Sequence, residues 1–503
     1  MLVDRKALSV CRRLPFGNNN FTRYNWRGWE LPDRYRSHYE MGDAFIIVTP
    51  GRNWLYLANP DVLMEVFRRR TDFPRCIELT EVLNVFGPNM STVDGAEWKK
   101  QRKITASCFN EQNNEIVWRE SLALAGDMLQ YWTSKASVKT TAEDTRTLSL
   151  HVLSAAGFGK RFKFEGHEDR QPASRSASYK DSLQTILENC ILIMALTPKF
   201  LENPWLPRSL RRLHEACSSF QKYMTDLYQS EKQAYAEGHT GERHLMASLI
   251  RASQDEHGTS GSLTERQIYG NMFIFNFAGH DTTAHTFNFS IYFLAANPKA
   301  QDWLAEEVVH VFGDPDPHDW NYHDLSRLKR CLSVMLESIR LYTPSPIAKW
   351  TDAAPQTLRI GEKTLCLPPK TVVIPAYSAA QTDPRWWGAD SLVWRPSRWI
   401  KDDEVSVGSP GGEEMINTKR GPFLGWSEGA RDCPGRKFAQ VEFVATISAL
   451  FKVWRVDPVV LEGETIASVR KRVLNLIETD SAMVLLLQML HPERVPLIWS
   501  RRE

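Results

Sequence analysis

The chain has 503 residues, 42% of them hydrophobic and 24% charged, which supplies a large buried core and argues against intrinsic disorder. A formal net charge of +2 excludes a strongly basic nucleic-acid binder on global grounds and leaves only local patches for charged partners. Eight cysteines (Cys11, Cys76, Cys108, Cys190, Cys217, Cys331, Cys366, Cys433) are scattered without a Cys-x-x-Cys pair, which points to a reducing compartment.

Residues 1–25 carry early Lys and Arg but no long apolar run, so neither a transmembrane anchor nor a convincing signal peptide is read there. The segments from Ala44 to Gly51 and from Trp54 to Pro60 predict a hairpin, and beyond Asp61 the pattern becomes mostly helical. Trp98-Lys99-Lys100-Gln101-Arg102 is a basic helical turn, which taken alone is a solvated face. Polar interruptions at 166–176 and 254–262 read as surface loops.

Ser262-Leu263-Thr264-Glu265 reads as a capping box opening a helix that continues to Asn297-Pro298. Midway, Ala278-Gly279-His280-Asp281-Thr282-Thr283 puts a glycine and two β-branched residues where a buried helix favours strong helix formers. That local weakness predicts a widening beside a ligand, the alternative being a small-residue packing notch. His280, Asp281 and His285 make a poor zinc site, since histidines five apart lie on different helix faces. Leu325, Leu328, Leu332, Leu336 and Ile339 mark another helix, on which Glu337 and Arg340 can pair, a weak signal by itself. A strand-rich patch runs from Thr357 to Ile374, followed by a loop at 407–412.

Trp426-Ser427-Glu428-Gly429-Ala430-Arg431-Asp432-Cys433-Pro434-Gly435 then precedes a run from Arg436 to Phe451 that reads as a buried helix. A sulfur at that helix start faces unpaired N–H groups, which favours a thiolate of lowered pKa and metal ligation. Gly429 and Gly435 permit the tight loop, and Arg431 can present a fixed cation to an anionic cofactor.

The cysteine stretch resembles the haem-binding signature of the cytochrome P450 family, and Ala278-Gly279-x-Asp281-Thr282 is similar to that family's oxygen-activation motif. The resemblance, spanning Trp98 to Phe451, implies that Cys433 is the thiolate ligand of haem b (heme b, iron protoporphyrin IX). Trp426 stands where a shielding Phe is usual. Ala278 and Gly279 would make room above the haem, Thr282 would hydrogen-bond dioxygen, and Asp281 would relay protons. Glu337 and Arg340 would be joined by Arg398 of Trp394-Arg395-Pro396-Ser397-Arg398-Trp399 in a structural lock. Trp98, Arg102 and Arg431 would hold the haem propionates, with Lys349 a further partner. Gln381 replaces a common His, which touches only a peripheral contact.

The resemblance further implies a mainly α (α-rich α+β) fold in which 26–503 is a single cytochrome P450-like domain with a long central helix and small peripheral sheets. It implies a monooxygenase of secondary metabolism that inserts one atom of dioxygen into a lipophilic substrate. Electrons would come from NADPH through a separate NADPH-cytochrome P450 reductase, docked by Lys99, Lys100, Lys103, Arg436, Lys437, Lys419 and Arg420. The expected location is the cytoplasmic side of the endoplasmic reticulum, by peripheral membrane contact, or the cytoplasm, with no nucleic-acid partner. Pocket segments are expected from Ile77 to Asn89, Thr185 to Phe200, Phe273 to Phe277, Pro344 to Trp350 and near Ala482. Two rivals are a peroxide-consuming isomerase or dehydratase, and a haem sensor or carrier.

Overall fold

The computed structural model describes residues 17, 19–169, 179–196, 198–238, 244–255, 262–402, 410–416 and 421–502. Lys419 and Arg420, most of 1–25, and much of the expected loops at 166–176, 254–262 and 407–412 lie outside the described residues.

The predicted hairpin forms from β1 (Ala44–Val48) and β2 (Asn53–Leu57), antiparallel with Ala44 opposite Leu57. β3 (Lys349–Trp350) precedes the later strand-rich patch, which supplies β4 (Gln356–Ile360), β5 (Lys363–Leu367) and β6 (Val372–Pro375). β6 pairs parallel to β2 and antiparallel to β3, giving a sheet ordered β1-β2-β6-β3, while β4 and β5 form their own ribbon.

The helices that position the site are α1 (Gly95–Ser107), α2 (Glu111–Thr133), α3 (Thr141–Phe158), α4 (Arg208–Ala236), α5 (Glu265–Ala296), α6 (Lys329–Leu341), α7 (Arg436–Phe451) and α8 (Ile466–Thr479). The expected long central helix is α5, but its cap differs from the expected one. Thr264 is extended and accepts from the Gln267 N–H, while the Gln267 side chain accepts from the Thr264 N–H at 2.9 Å. The box is therefore two residues later than Ser262 and Glu265, because Thr264 is the last residue with extended backbone. Among the described residues no helix is long and apolar enough to cross a membrane.

α2, α3, α5 and α7 share one apolar core, with Phe287 of α5 stacked on Phe443 of α7 at 4.9 Å. Burying a ring of this size contributes about 2 kcal/mol. An unpartnered acid lies on α7 among these residues. Glu442 on α7 is fully buried, neither carboxylate oxygen has a hydrogen-bond partner among the described residues, and the Ser149 hydroxyl of α3 is a polar neighbour outside good bonding geometry. Burial pushes its pKa up to about 8, so the folded protein keeps Glu442 neutral where the unfolded chain ionises it. A raised acid pKa costs stability as pH climbs from about 4.5 to about 8. Glu442→Gln is therefore expected to raise the melting temperature more at pH 7 than at pH 5, the difference reaching about 3 kcal/mol at most. Equal shifts at the two pH values would show that Glu442 is ionised in the fold.

Candidate functional site

The loop before α7 turns through a short 3₁₀ segment, Gly429–Arg431, and closes when the Cys433 N–H donates to the Trp426 carbonyl at 2.9 Å. Gly429 is required here: its φ is +77°, and a Cβ would lie 3.0 Å from the Phe67 carbonyl oxygen. Cys433 is accessible, yet enough protein surrounds its thiol that burial is the leading influence on it. Burial pushes the thiol up, against the Gly435 N–H, Arg102 and Arg436, which pull it down. The expected lowering is thus reversed in the protein alone, because desolvation outweighs the helix start. A bound metal cation would still deprotonate the sulfur.

α1 places Trp98 and Arg102 one turn apart on one face. Arg102 donates from Nη1 to the Asp432 carbonyl at 2.9 Å and from Nη2 to Asp432 Oδ1 at 2.6 Å, tying α1 to the cysteine loop. The Arg431 guanidinium lies 4.5 Å from the centre of the buried Trp98 ring, and its Nη2 donates to Val93 O at 2.9 Å and Asp94 Oδ1 at 2.5 Å. Its Nη1 is buried without a partner among the described residues, as is Nε of Arg75. Burial and the neighbouring arginines push Arg75 down to about 10 and Lys349 down to about 8, with Asp94 the carboxylate that acts on both and on Arg431. Three cations around one carboxylate, with orphaned donors among them, fit an anionic group such as the paired carboxylates of haem b.

Sequence reasoning missed Arg75. It reaches the cluster through an isolated bridge to Lys349, a register that no local pattern announces.

From Gln267 to Ala296 every residue of α5 is buried except Ala278, Gly279, Asp281 and Thr282. The helix is not broken there; the Thr282 hydroxyl donates to the Ala278 carbonyl at 2.8 Å and the Thr283 hydroxyl to that of Gly279 at 3.4 Å. The predicted widening is instead an opening made by short side chains, with Leu153 of α3 3.2 Å from where a Gly279 Cβ would sit. Asp281 Oδ1 accepts from Arg146 Nε at 2.8 Å and lies 3.2 Å from His280 Nε2. Burial raises the Asp281 pKa, but His280, Arg146 and His285 together hold it below the usual carboxylate range. His285 is pushed down to about 4 by burial and is neutral at pH 7. A cavity of about 30 Å³, room for a water, is lined by Glu143, Arg146, Thr147, His167, Gln184 and His280.

The structure brings Glu337, Arg340 and Arg398 together. Glu337 and Arg340 are fully buried, and Glu337 accepts from Arg340 Nε and Nη2 and from Arg398 Nε, each at 2.8 Å. Gln381 proves far from peripheral. It is fully buried, donates to Arg340 O at 3.0 Å and Thr343 Oγ1 at 2.5 Å, and accepts from Leu424 N at 2.7 Å, joining α6 to the cysteine loop.

Of the expected pocket segments, Leu83, Val85, Phe86, Leu196, Phe273, Phe277 and Leu485 gather in one apolar cluster with Phe220 of α4. Phe86 contacts Phe220 at 5.4 Å and Phe273 at 5.3 Å between ring centres. An aromatic wall of this kind favours flat or lipophilic ligands.

A family model described as Cytochrome P450 matches residues 14–477. A cytochrome P450 monooxygenase of Arthrobotrys oligospora is 28% identical over 92% of this chain and 85% of its own length. The phomenoic acid biosynthesis cluster cytochrome P450 monooxygenase of Leptosphaeria maculans is 30% identical over 87% of this chain and 81% of that protein. A crystal structure of a cytochrome P450 superposes with a TM-score of 0.69 at 17% identity, covering 93% of this chain and 97% of that one, a likeness of fold.

Proposed function

We propose that this chain, which belongs to the cytochrome P450 family and is one of its monooxygenases, inserts one atom of dioxygen into a lipophilic substrate of secondary metabolism. The observation that carries the proposal is the four-residue opening in an otherwise buried α5, combined with a cysteine loop flanked by cations. The relative from a biosynthesis cluster supports the metabolic setting. Bound haem b would supply the oxygen-activating iron, with Cys433 as its ligand.

The rest is work for this chain's own groups. Trp98, Arg102, Arg431, Lys349 and Arg75 orient the cofactor's carboxylates; the cluster around Phe86 and Phe273 excludes water and holds the substrate. Asp281 stays ionised between Arg146 and His280, ready to take a proton from the water-sized cavity beside them and pass it toward Thr282 Oγ1. Thr282→Ala is expected to keep cofactor and substrate binding while the product formed per NADPH consumed falls about tenfold or more, the difference appearing as hydrogen peroxide. Unchanged coupling in both Thr282→Ala and Asp281→Asn would favour the peroxide-consuming isomerase or dehydratase.

NADPH-derived electrons enter, in this proposal, through a reductase docked on the basic face. Lys99, Lys103, Arg436 and Lys437 are exposed and Lys100 half-buried, and the Arg102–Asp432 pair fastens their two segments together. Reversing Lys99 and Lys103 to Glu is expected to slow stopped-flow reduction about tenfold at low salt and to flatten its salt dependence. Wild-type rates indifferent to salt would place the reductase on another face.

A further inference from the structure

A cleft of about 480 Å³ opens where the end of α5 meets the helix Pro298–Phe312, the turn Pro396–Trp399 and α8. Ala296 lies fourteen positions beyond Thr282, about 21 Å further along the same helix, so the cleft is separate from the opening in α5. Its wall presents Lys299, Arg395 and Arg470 beside Trp303, Pro298 and Pro396, and no carboxylate lines it among the described residues.

The charges are incompletely balanced. Arg395 pairs with Asp390 at 3.0 Å, but Asp390 also holds Arg398 at 3.3 Å. Arg470 has Asp457 only at 3.7 Å, and that carboxylate is already bonded to Arg455 at 3.1 Å. The Nε of Arg470 is buried with no partner, and exposed Lys299 has no ion pair among the described residues. The first turn of Pro298–Phe312, which has no side-chain cap, adds a partial positive charge at the same wall.

We propose that this cleft binds a phosphate-headed amphiphile. The head sits among the Lys299 ammonium and the guanidinium forks of Arg395 and Arg470, which suit a multi-oxygen anion, and the apolar body lies along Trp303, Pro298 and Pro396. A cleft of this volume is of ordinary ligand size. The site is independent of the oxygenation reading; failure of either leaves the other standing.

The test is titration calorimetry of the haem-loaded full chain with decyl phosphate, using decanol and inorganic phosphate as the two halves of the ligand. Decyl phosphate is expected to fill one site without moving the haem absorption band and to bind at least tenfold tighter than either half. Arg395→Gln combined with Arg470→Gln should weaken it at least tenfold at unchanged melting temperature and haem content, and Arg470→Lys alone, which keeps the charge and loses one fork, should weaken it less than the double variant. Equal affinity in the double glutamine variant, equal binding of decanol, or binding accompanied only by a haem-band shift would each overturn the proposal. Flotation with phosphatidylcholine vesicles separates the two sources of such a ligand. Capture that needs added phosphatidic acid and is lost in the double variant identifies a membrane lipid; no capture, with decyl phosphate still bound, identifies a soluble phosphate ester.

Discussion

Cys433→Ser is expected to abolish both the red-shifted Soret band of the reduced carbon monoxide complex and all turnover, with the fold intact. The fold should survive because the loop is closed by the Cys433 backbone N–H to the Trp426 carbonyl, and a serine keeps that bond. The side chain itself does little packing: Cys433 is accessible, and a Cβ added at Gly435 would still lie 3.9 Å from the sulfur. What changes is donor chemistry. A hydroxyl is a harder ligand that stays protonated under conditions where a metal-bound thiol ionises. Thermal melting within about 1 kcal/mol of the parent, together with loss of the band, is the expected pair of results. A variant that retained the band would remove Cys433 from the ligand position and with it the reading of the whole site.

Much of this architecture was legible because its signals are local. The hairpin showed as two β-branched and aromatic runs around Pro50-Gly51, and α7 as an apolar run behind a glycine-framed loop; both formed where expected, α7 from Arg436 to Phe451. α5 announced itself by length, and its weak centre by glycine and threonine at Gly279, Thr282 and Thr283. The cap was misplaced by two residues because Ser262 and Thr264 are both good N-caps, and only backbone geometry chooses between them.

What escaped the sequence was set by distant packing. Arg75 joins the cation cluster through a bridge to Lys349, 274 positions away, and Arg146 reaches Asp281 from another helix. Neither has a motif around it. The Cys433 pKa went the other way for the same reason: a helix start is visible in sequence, but the protein that encloses the sulfur is not. Gln381 was undervalued because substitution for a family His says nothing about how many partners the replacement finds; an amide both donates and accepts, and here it uses both ends.

Glu337→Gln should be among the most destabilising single changes available, at about 3–5 kcal/mol. Besides the three arginine bonds, Glu337 accepts from the Arg395 N–H at 2.9 Å and Trp399 Nε1 at 3.0 Å, so five donors converge on one buried carboxylate. An amide of the same shape removes the counter-charge from two buried arginines and turns an N–H₂ toward one of them. Arg340 would keep the carbonyls of Gln381 and Ser391 at 2.7 and 2.6 Å, and Arg398 would keep Asp390, which holds the loss below that of a bare buried charge. Damage should reach the cysteine loop by two routes. Trp399 contacts Phe423 at 4.9 Å and Phe423 contacts Trp426 at 6.1 Å, while Gln381 links the Arg340 carbonyl to Leu424. Haem content should therefore fall at temperatures where helical circular dichroism is still complete. Arg398→Lys, which preserves the charge beside the half-buried Asp390, should cost less and keep the cofactor. Full haem content and parental melting in Glu337→Gln would mean that the triad is no lock, and melting loss with an undisturbed thiolate band would confine it to stability and sever it from the cysteine loop.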